Sequence, residues 1–198
     1  MSFTGFTGTD FDVFKINGLD ARMDALKHHI RPKLEQLGLH FSPALTSLTG
    51  DEMFAHTAKH ARRTKNAPND TWVAFSNNPR GYKMLPHFQI GLWETHIFIW
   101  FAIIYEAPNK EAFGQNLVTN VEKIFKGIPK NFVWSTDHTK PEAQLHKEVT
   151  LEELAKMFER LQSVKKSEIL CGFHIPRDQA VAMQPSEFVS KVGAINIY

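Results

Sequence analysis

The sequence predicts an α+β fold: a single domain over residues 1–198, with a mostly antiparallel sheet packed with several helices. Three observations carry this reading. Helical periodicity opens the chain, alternating strand patterns crowd its middle, and helices with one late strand follow, an order that disfavours a doubly wound nucleotide fold. The length of 198 residues suits one well-buried core. The composition, 42% apolar with sixteen Phe and four Trp, supplies enough large apolar area to fill it.

Residues 20–37 read as a helix, because Met23, Leu26, Ile30, Leu34 and Leu37 form one stripe at helical spacing and Gly38 suits the position after the last turn. Pro32 falls inside that pattern and is expected to kink or split it. Ser42-Pro43 reads as a second helix start that ends at Thr49-Gly50. Residues 51–63 fit either a helix or a strand, and both place His56 and His60 side by side. After a turn at 66–70, residues 71–76 (TWVAFS) read as a strand.

Residues 82–92 alternate, with Tyr82, Met84, Phe88, Ile90 and Leu92 on one face and Lys83, Leu85, His87 and Gln89 on the other. Pro86 argues for an edge position or a bulge. Glu94-Thr95 is a hairpin turn into residues 96–105, which are apolar on both faces as in a central strand. Residues 109–125 read as one helix and 131–135 as a short strand. Thr150 and Glu153 form a capping box, flanked by the Val149/Leu154 staple, at the head of the next helix. Residues 166–175 read as a buried strand containing Cys171, and 186–192 as a terminal helix.

The lone cysteine cannot form an intramolecular disulfide and suits a reducing compartment. The N-terminal residues have neither a basic start nor an apolar run of leader length, and the longest apolar stretch, 97–105, is too short to span a bilayer. A cytoplasmic protein without membrane insertion is therefore expected. The formal charge of +2 conceals a polarity. Between Met53 and Trp93 six bases (Lys59, Arg62, Arg63, Lys65, Arg80, Lys83) face one acid, Asp70, giving that stretch +5. This suggests a local anion-facing surface, not a wholly basic nucleic-acid protein.

Phosphate-loop, dinucleotide, nucleophile-elbow, HExxH and CxxC signatures are all missing from the sequence. The candidate anion site is Arg62 and Arg63 with Lys59, His60, Lys83 and His87, since guanidinium forks bind phosphate in bidentate fashion. The bland alternative pairs an arginine internally with Asp51, Asp70 or Glu106. Trp72, Phe75 and Tyr82 flank the segment as candidate stacking surfaces for RNA bases, although such aromatics more often belong to a core. His56 and His60 are a weak candidate metal pair, with Glu52, Asp137 or His138 as a third ligand. Asp137-His138 is a weak acid/base pair, with a turn cap by Asp137 as the alternative, and Cys171 reads as a buried inert thiol. These residues support a binding module for an anionic ligand (a phosphorylated small molecule or RNA), an enzyme with a His-lined polar cleft, or a protein-interaction module.

Several segments in order, GLDARM (18–23), IRP (30–32), TGDEMFAHTAKHARRT (49–64), DTWVAF (70–75), RGYKMLPHFQIGL (80–92) and DHTKPEA (137–143), resemble the YktB-like family of uncharacterised bacterial proteins. The resemblance implies a compact cytoplasmic α+β protein and carries over no catalytic residue, cofactor or partner.

Overall fold

The computed structural model describes residues 3–195. Helix α1 (Gly8–Asp12) and a 3-10 turn lead into α2 (Leu19–Ala25), a π-turn at Leu26–Ile30 and α3 (Arg31–Thr49). Strands β1 (Phe54–Thr57), β2 (Asp70–Ser76), β3 (His87–Trp93) and β4 (His96–Ile103) follow. Helices α4 (Lys110–Thr119) and α5 (Val121–Gly127), strands β5 (Val133–Ser135) and β6 (Gln144–Leu145), and helix α6 (Leu151–Ser163) lead to β7 (Ile169–Pro176), α7 (Arg177–Ala182) and α8 (Pro185–Ile195). The strands form one sheet in the order β1-β2-β3-β4-β7-β5-β6, and every neighbouring pair is antiparallel. The predicted α+β class with an antiparallel sheet is the observed one.

The expected irregularity near Pro32 is present: Pro32 sits in the first turn of α3 and, having no N–H, cannot bond back into the turn before it. The irregularity is the π-turn before it, where the Arg31 N–H reaches the Leu26 carbonyl. Helix α3 then runs unbroken past Gly38 and through Pro43, so neither the stop nor the restart expected there occurs. Leu39, whose carbonyl loses its partner at Pro43, is 79% exposed, so water can serve it. Gly38 is mid-helix for close packing: a Cβ there would stand 3.0 Å from Ala55 Cβ on β1. The true stop is Gly50, left-handed at φ 77°.

Residues 51–63 are neither a full helix nor a full strand, since β1 covers only 54–57. Strand β3 begins at His87, later than the alternation suggested. It is an interior strand, not an edge, because Pro86 lies just outside the hydrogen-bonded ladder. The single helix expected over 109–125 is two, parted at Asn120. The capping box forms as read: Thr150 Oγ1 accepts from the Glu153 N–H at 3.2 Å while Glu153 Oε2 accepts from the Thr150 N–H at 2.7 Å.

Strand alternation decides where everything else sits. Ile97, Ile99, Phe101 and Ile103 of β4 share one face. The N-terminal helices pack on the first half of that face, where Leu34, Leu37 and Phe41 of α3 meet Val73, Phe75, Ile90, Ile97 and Ile99. Helices α4, α5 and α6 pack on the second half, against Phe101, Ile103, Ile169 and Cys171. The opposite face carries Trp93, Phe98, Trp100, Ala102, Val133 and Leu170, with Trp72, Ala143 and Leu145 against them. Among the described residues no helix contributes to that third cluster, which is completed by strand residues Trp72 and Leu145 and by Ala143 from the loop before β6. Among the described residues no helix is long and apolar enough to cross a membrane.

Candidate functional site

The basic segment is shaped by where β1 ends. The Ala58 N–H still reaches the Trp72 carbonyl of β2, at 2.8 Å, and the chain then turns away. His60 takes φ 51°, a left-handed conformation uncommon for a residue with a Cβ. The turn closes by a 3.0 Å bond from the Arg63 N–H to the His60 carbonyl, which leaves Lys59, Arg62 and Arg63 exposed. Thr71 Oγ1 lies 3.1 Å from His60 Nε2 and holds the ring inward.

Beneath this turn is a cavity of about 420 Å³. Trp72 from β2 and Gln89 from β3 line it on the helix-free face of the sheet, with Ile104 just past β4. The Trp72 Nε1–H donates to Tyr82 Oη at 2.8 Å, which fixes two aromatic walls against each other. Lys83 Nζ pairs with Glu106 Oε1 at 2.8 Å on the rim. His138 enters from the loop after β5, and Asp70 stands at the head of β2.

The charges are uneven. Lys59, Arg62 and Arg63 make no ion pair among the described residues, whereas Lys83 is neutralised by Glu106. Burial pushes Asp70 up to about 6, even with the Arg63 and His138 charges pulling the other way. Burial, with the Arg63 and Arg31 charges, pushes His60 down to about 4, so its ring is neutral at pH 7. Burial also pushes Tyr82 up to about 12. His138 differs. Burial opposes its charge, but the Glu168 carboxylate outweighs burial and raises it above the ordinary 6.5. Its Nδ1 stands 2.8 Å from Glu168 Oε2, and Glu168 also accepts from the His138 backbone N–H at 3.0 Å. With Nδ1 so held, the opposite nitrogen, Nε2, has no protein partner among the described residues.

One consequence concerns Asp70. The fold holds its proton more tightly than the unfolded chain does, so stability is lost as pH rises from 3.8 through about 6. Asp70→Asn, which cannot ionise, is expected to exceed wild type in unfolding free energy at pH 8 by about 1–2 kcal/mol, a difference that closes toward pH 4. Thermal unfolding at the two pH values measures it.

Five of the six candidate anion-site residues line this one cavity: Lys59, His60, Arg62, Arg63 and Lys83. His87 does not. It is fully buried below Tyr82, ring centroids 4.8 Å apart, with Nδ1 2.7 Å from the Leu85 carbonyl and Nε2 2.9 Å from Gln89 Nε2. Burial pushes it down to about 4. His56 and His60 are engaged separately, His56 Nε2 by the Asn78 carbonyl at 2.8 Å and His60 by Thr71. They stop being strand neighbours because β1 ends between them. Among the described residues no group of three or more His, Cys, Asp or Glu is placed to hold a metal ion.

Phe75 is completely buried in the first core and offers nothing to stack on. Asp137 caps its own turn, accepting from the Thr139 N–H at 2.9 Å, and the carboxylate that orients His138 is Glu168 instead. The residues that local reading passed over are Gln89 as lining, and Glu168. The one sequence signal for Glu168 is an acid at the mouth of an apolar strand, Ser167-Glu168-Ile169-Leu170.

A family model described as "Domain of unknown function (DUF1054)" matches residues 6–196. A UPF0637 protein of Bacillus velezensis is 57% identical over 187 residues, 94% of this chain and 89% of its own length. A UPF0637 protein of Bacillus licheniformis is 55% identical over 194 residues, 98% of this chain and 92% of its own. One from Bacillus mycoides is 52% identical over 192 residues, covering 97% and 92%. Such identity over nearly the whole chain agrees with the YktB-like resemblance, and the chain belongs to the DUF1054 family of UPF0637 proteins.

Proposed function

We propose that the protein is a cytoplasmic binding module for a small phosphorylated molecule, held in the cleft between the 58–63 turn and the helix-free face of the sheet. The observation that carries this reading is the convergence of Lys59, Arg62 and Arg63, all without ion-pair partners, on one cavity whose walls are the hydrogen-bonded Trp72 and Tyr82. Unpaired guanidinium groups recognise phosphate oxygens in bidentate geometry, and the aromatic pair suits a planar group beside the phosphate. A volume of about 420 Å³ falls within the range of small-molecule sites and fits a single nucleotide better than a strand of RNA.

The test uses adenosine 5′-monophosphate as the probe, titrated while tryptophan fluorescence is followed across a salt series. Saturable binding that weakens with salt is expected. Arg62→Ala/Arg63→Ala weakens it by about ten- to a hundredfold, at about 1.5–3 kcal/mol for a charge-assisted contact, and leaves the melting temperature unchanged because both side chains are exposed. Equal binding by a folded double variant refutes the reading, and tighter binding to an RNA oligomer transfers it to nucleic acid.

One observation favours a second reading, an enzyme acting on the same ligand. His138 is oriented through Nδ1 by a buried carboxylate and offers a free Nε2, the arrangement of a general base or acid. Release of inorganic phosphate from the bound probe, lost in His138→Ala, separates catalysis from binding alone.

A further inference from the structure

The helix-bearing face of the sheet contains a second cavity that the phosphate reading does not use. The two cores on that face touch through Phe88 and Phe101, ring centroids 5.4 Å apart, and are otherwise separate clusters. Between them lies a space of about 400 Å³, lined by Phe88, Phe101, Phe113, Leu117, Ile124 and Cys171 and reached at one end by Leu48 and Thr49 from the tip of α3. Those six side chains are half-buried rather than fully buried, so they present apolar surface to the void. The space is partly open at the surface, a groove whose apolar walls gain from being covered by an apolar body. The lining offers almost nothing for water to bond. Thr49 Oγ1 already donates within its own turn, to the Leu45 carbonyl at 2.9 Å, and burial pushes the Cys171 thiol up, so it stays protonated and unreactive.

The void has a polar outer end. An adjoining hollow shares Phe113, Leu117, Ile124 and Ile128 with it and adds Asn116, Asn120 and Lys123 at the break between α4 and α5. Lys123 is exposed and has no ion pair among the described residues. An apolar interior that ends at an unpaired cation matches a molecule that is apolar along its body and negative at one end.

We propose that this seam between the two cores binds a single-chain amphiphile, a hydrocarbon tail between the helices with a carboxylate head at Lys123. The site is separate from the phosphate cleft, which opens on the other face of the sheet, and stands or falls independently of it. Docking of an apolar helix from another protein is the competing occupant, and it gives no response to a small amphiphile.

The probe is cis-parinaric acid, whose fluorescence rises in an apolar site, displaced by decanoate and by decanol. The expected result is saturable one-to-one binding, with decanoate displacing the probe at lower concentration than decanol. Leu117→Trp, which puts an indole into the void from a half-buried position, is expected to weaken probe binding at least tenfold. Should that variant fail to fold, Cys171→Met fills the void from the sheet side and is expected to do the same. Lys123→Glu, on the surface, is expected to weaken both parinaric acid and decanoate by about three- to tenfold and to leave the dissociation constant of decanol, calculated from its displacement of the more weakly held probe, unchanged. A signal that does not saturate, that survives filling of the void, or that shows decanoate and decanol equal in the wild type overturns the proposal.

Discussion

Gly172→Ala is expected to lower the unfolding free energy by about 3 kcal/mol, among the largest effects of adding one methyl group to this protein. Gly172 lies on β7, an interior strand flanked by β4 and β5, opposite Trp100 on one side and Val133 on the other. A Cβ built there would overlap the Ile99 carbonyl and stand 3.0 Å from the Trp100 ring. The overlap is with backbone, which cannot turn aside as a flexible side chain can, so β4 and β7 must separate locally. Separation of the central pair costs ladder hydrogen bonds and packing on both faces. Gly127→Ala at the end of α5 is the control, because no atom lies within 4 Å of a Cβ there. It is expected to be neutral or stabilising by up to about 1 kcal/mol. Urea unfolding of the two variants measures the contrast, and equal midpoints contradict the account of the central strands.

Glu168→Ala is expected to cost about 2–3 kcal/mol at pH 6. Glu168 is 4% exposed and accepts from the His138 N–H at 3.0 Å, from the Tyr105 N–H at 3.4 Å and from the His138 ring. Its removal leaves two backbone N–H groups and the imidazole without an acceptor, in a place water reaches poorly. The pH dependence follows from His138. In the fold it binds its proton more tightly than a free imidazole at 6.5, so the contribution of its ion pair is fully present below pH 6.5 and is lost as pH rises through the folded value. The gap between wild type and Glu168→Ala is therefore expected to shrink between pH 6 and pH 8.5, and the His138 ring is expected to titrate lower in the variant. A gap that widens with pH contradicts this.

Much of the sheet was legible because its strands are short apolar or alternating runs bounded by turn residues: TWVAFS, the β3–β4 hairpin at Glu94-Thr95, and the late strand around Cys171. Where local signals misled, tertiary packing had overruled them. Gly38 looks like a helix stop, yet it is the contact point that lets α3 lie close on β1. Pro43 looks like a helix start, yet its lost bond falls on a solvent-facing carbonyl. Pro86 looks like an edge marker, yet it stops one residue short of the ladder. The cluster Lys59, Arg62 and Arg63 was legible as a charge imbalance in sequence. What was not legible was the partnership across the chain: Glu168 with His138, 30 residues apart, and Lys83 with Glu106, 23 apart. Those contacts depend on strand order, which period-2 patterning does not encode.

The 58–63 turn and the aromatic pair below it are proposed to form one phosphate-binding site. Amide chemical-shift mapping of the ¹⁵N-labelled protein during titration with adenosine 5′-monophosphate tests it most directly. Saturable shifts are expected at residues 58–63, at Trp72, at Tyr82 and at His138, with the Trp72 indole N–H moving among them. Shifts that map elsewhere, or that fail to saturate, contradict it.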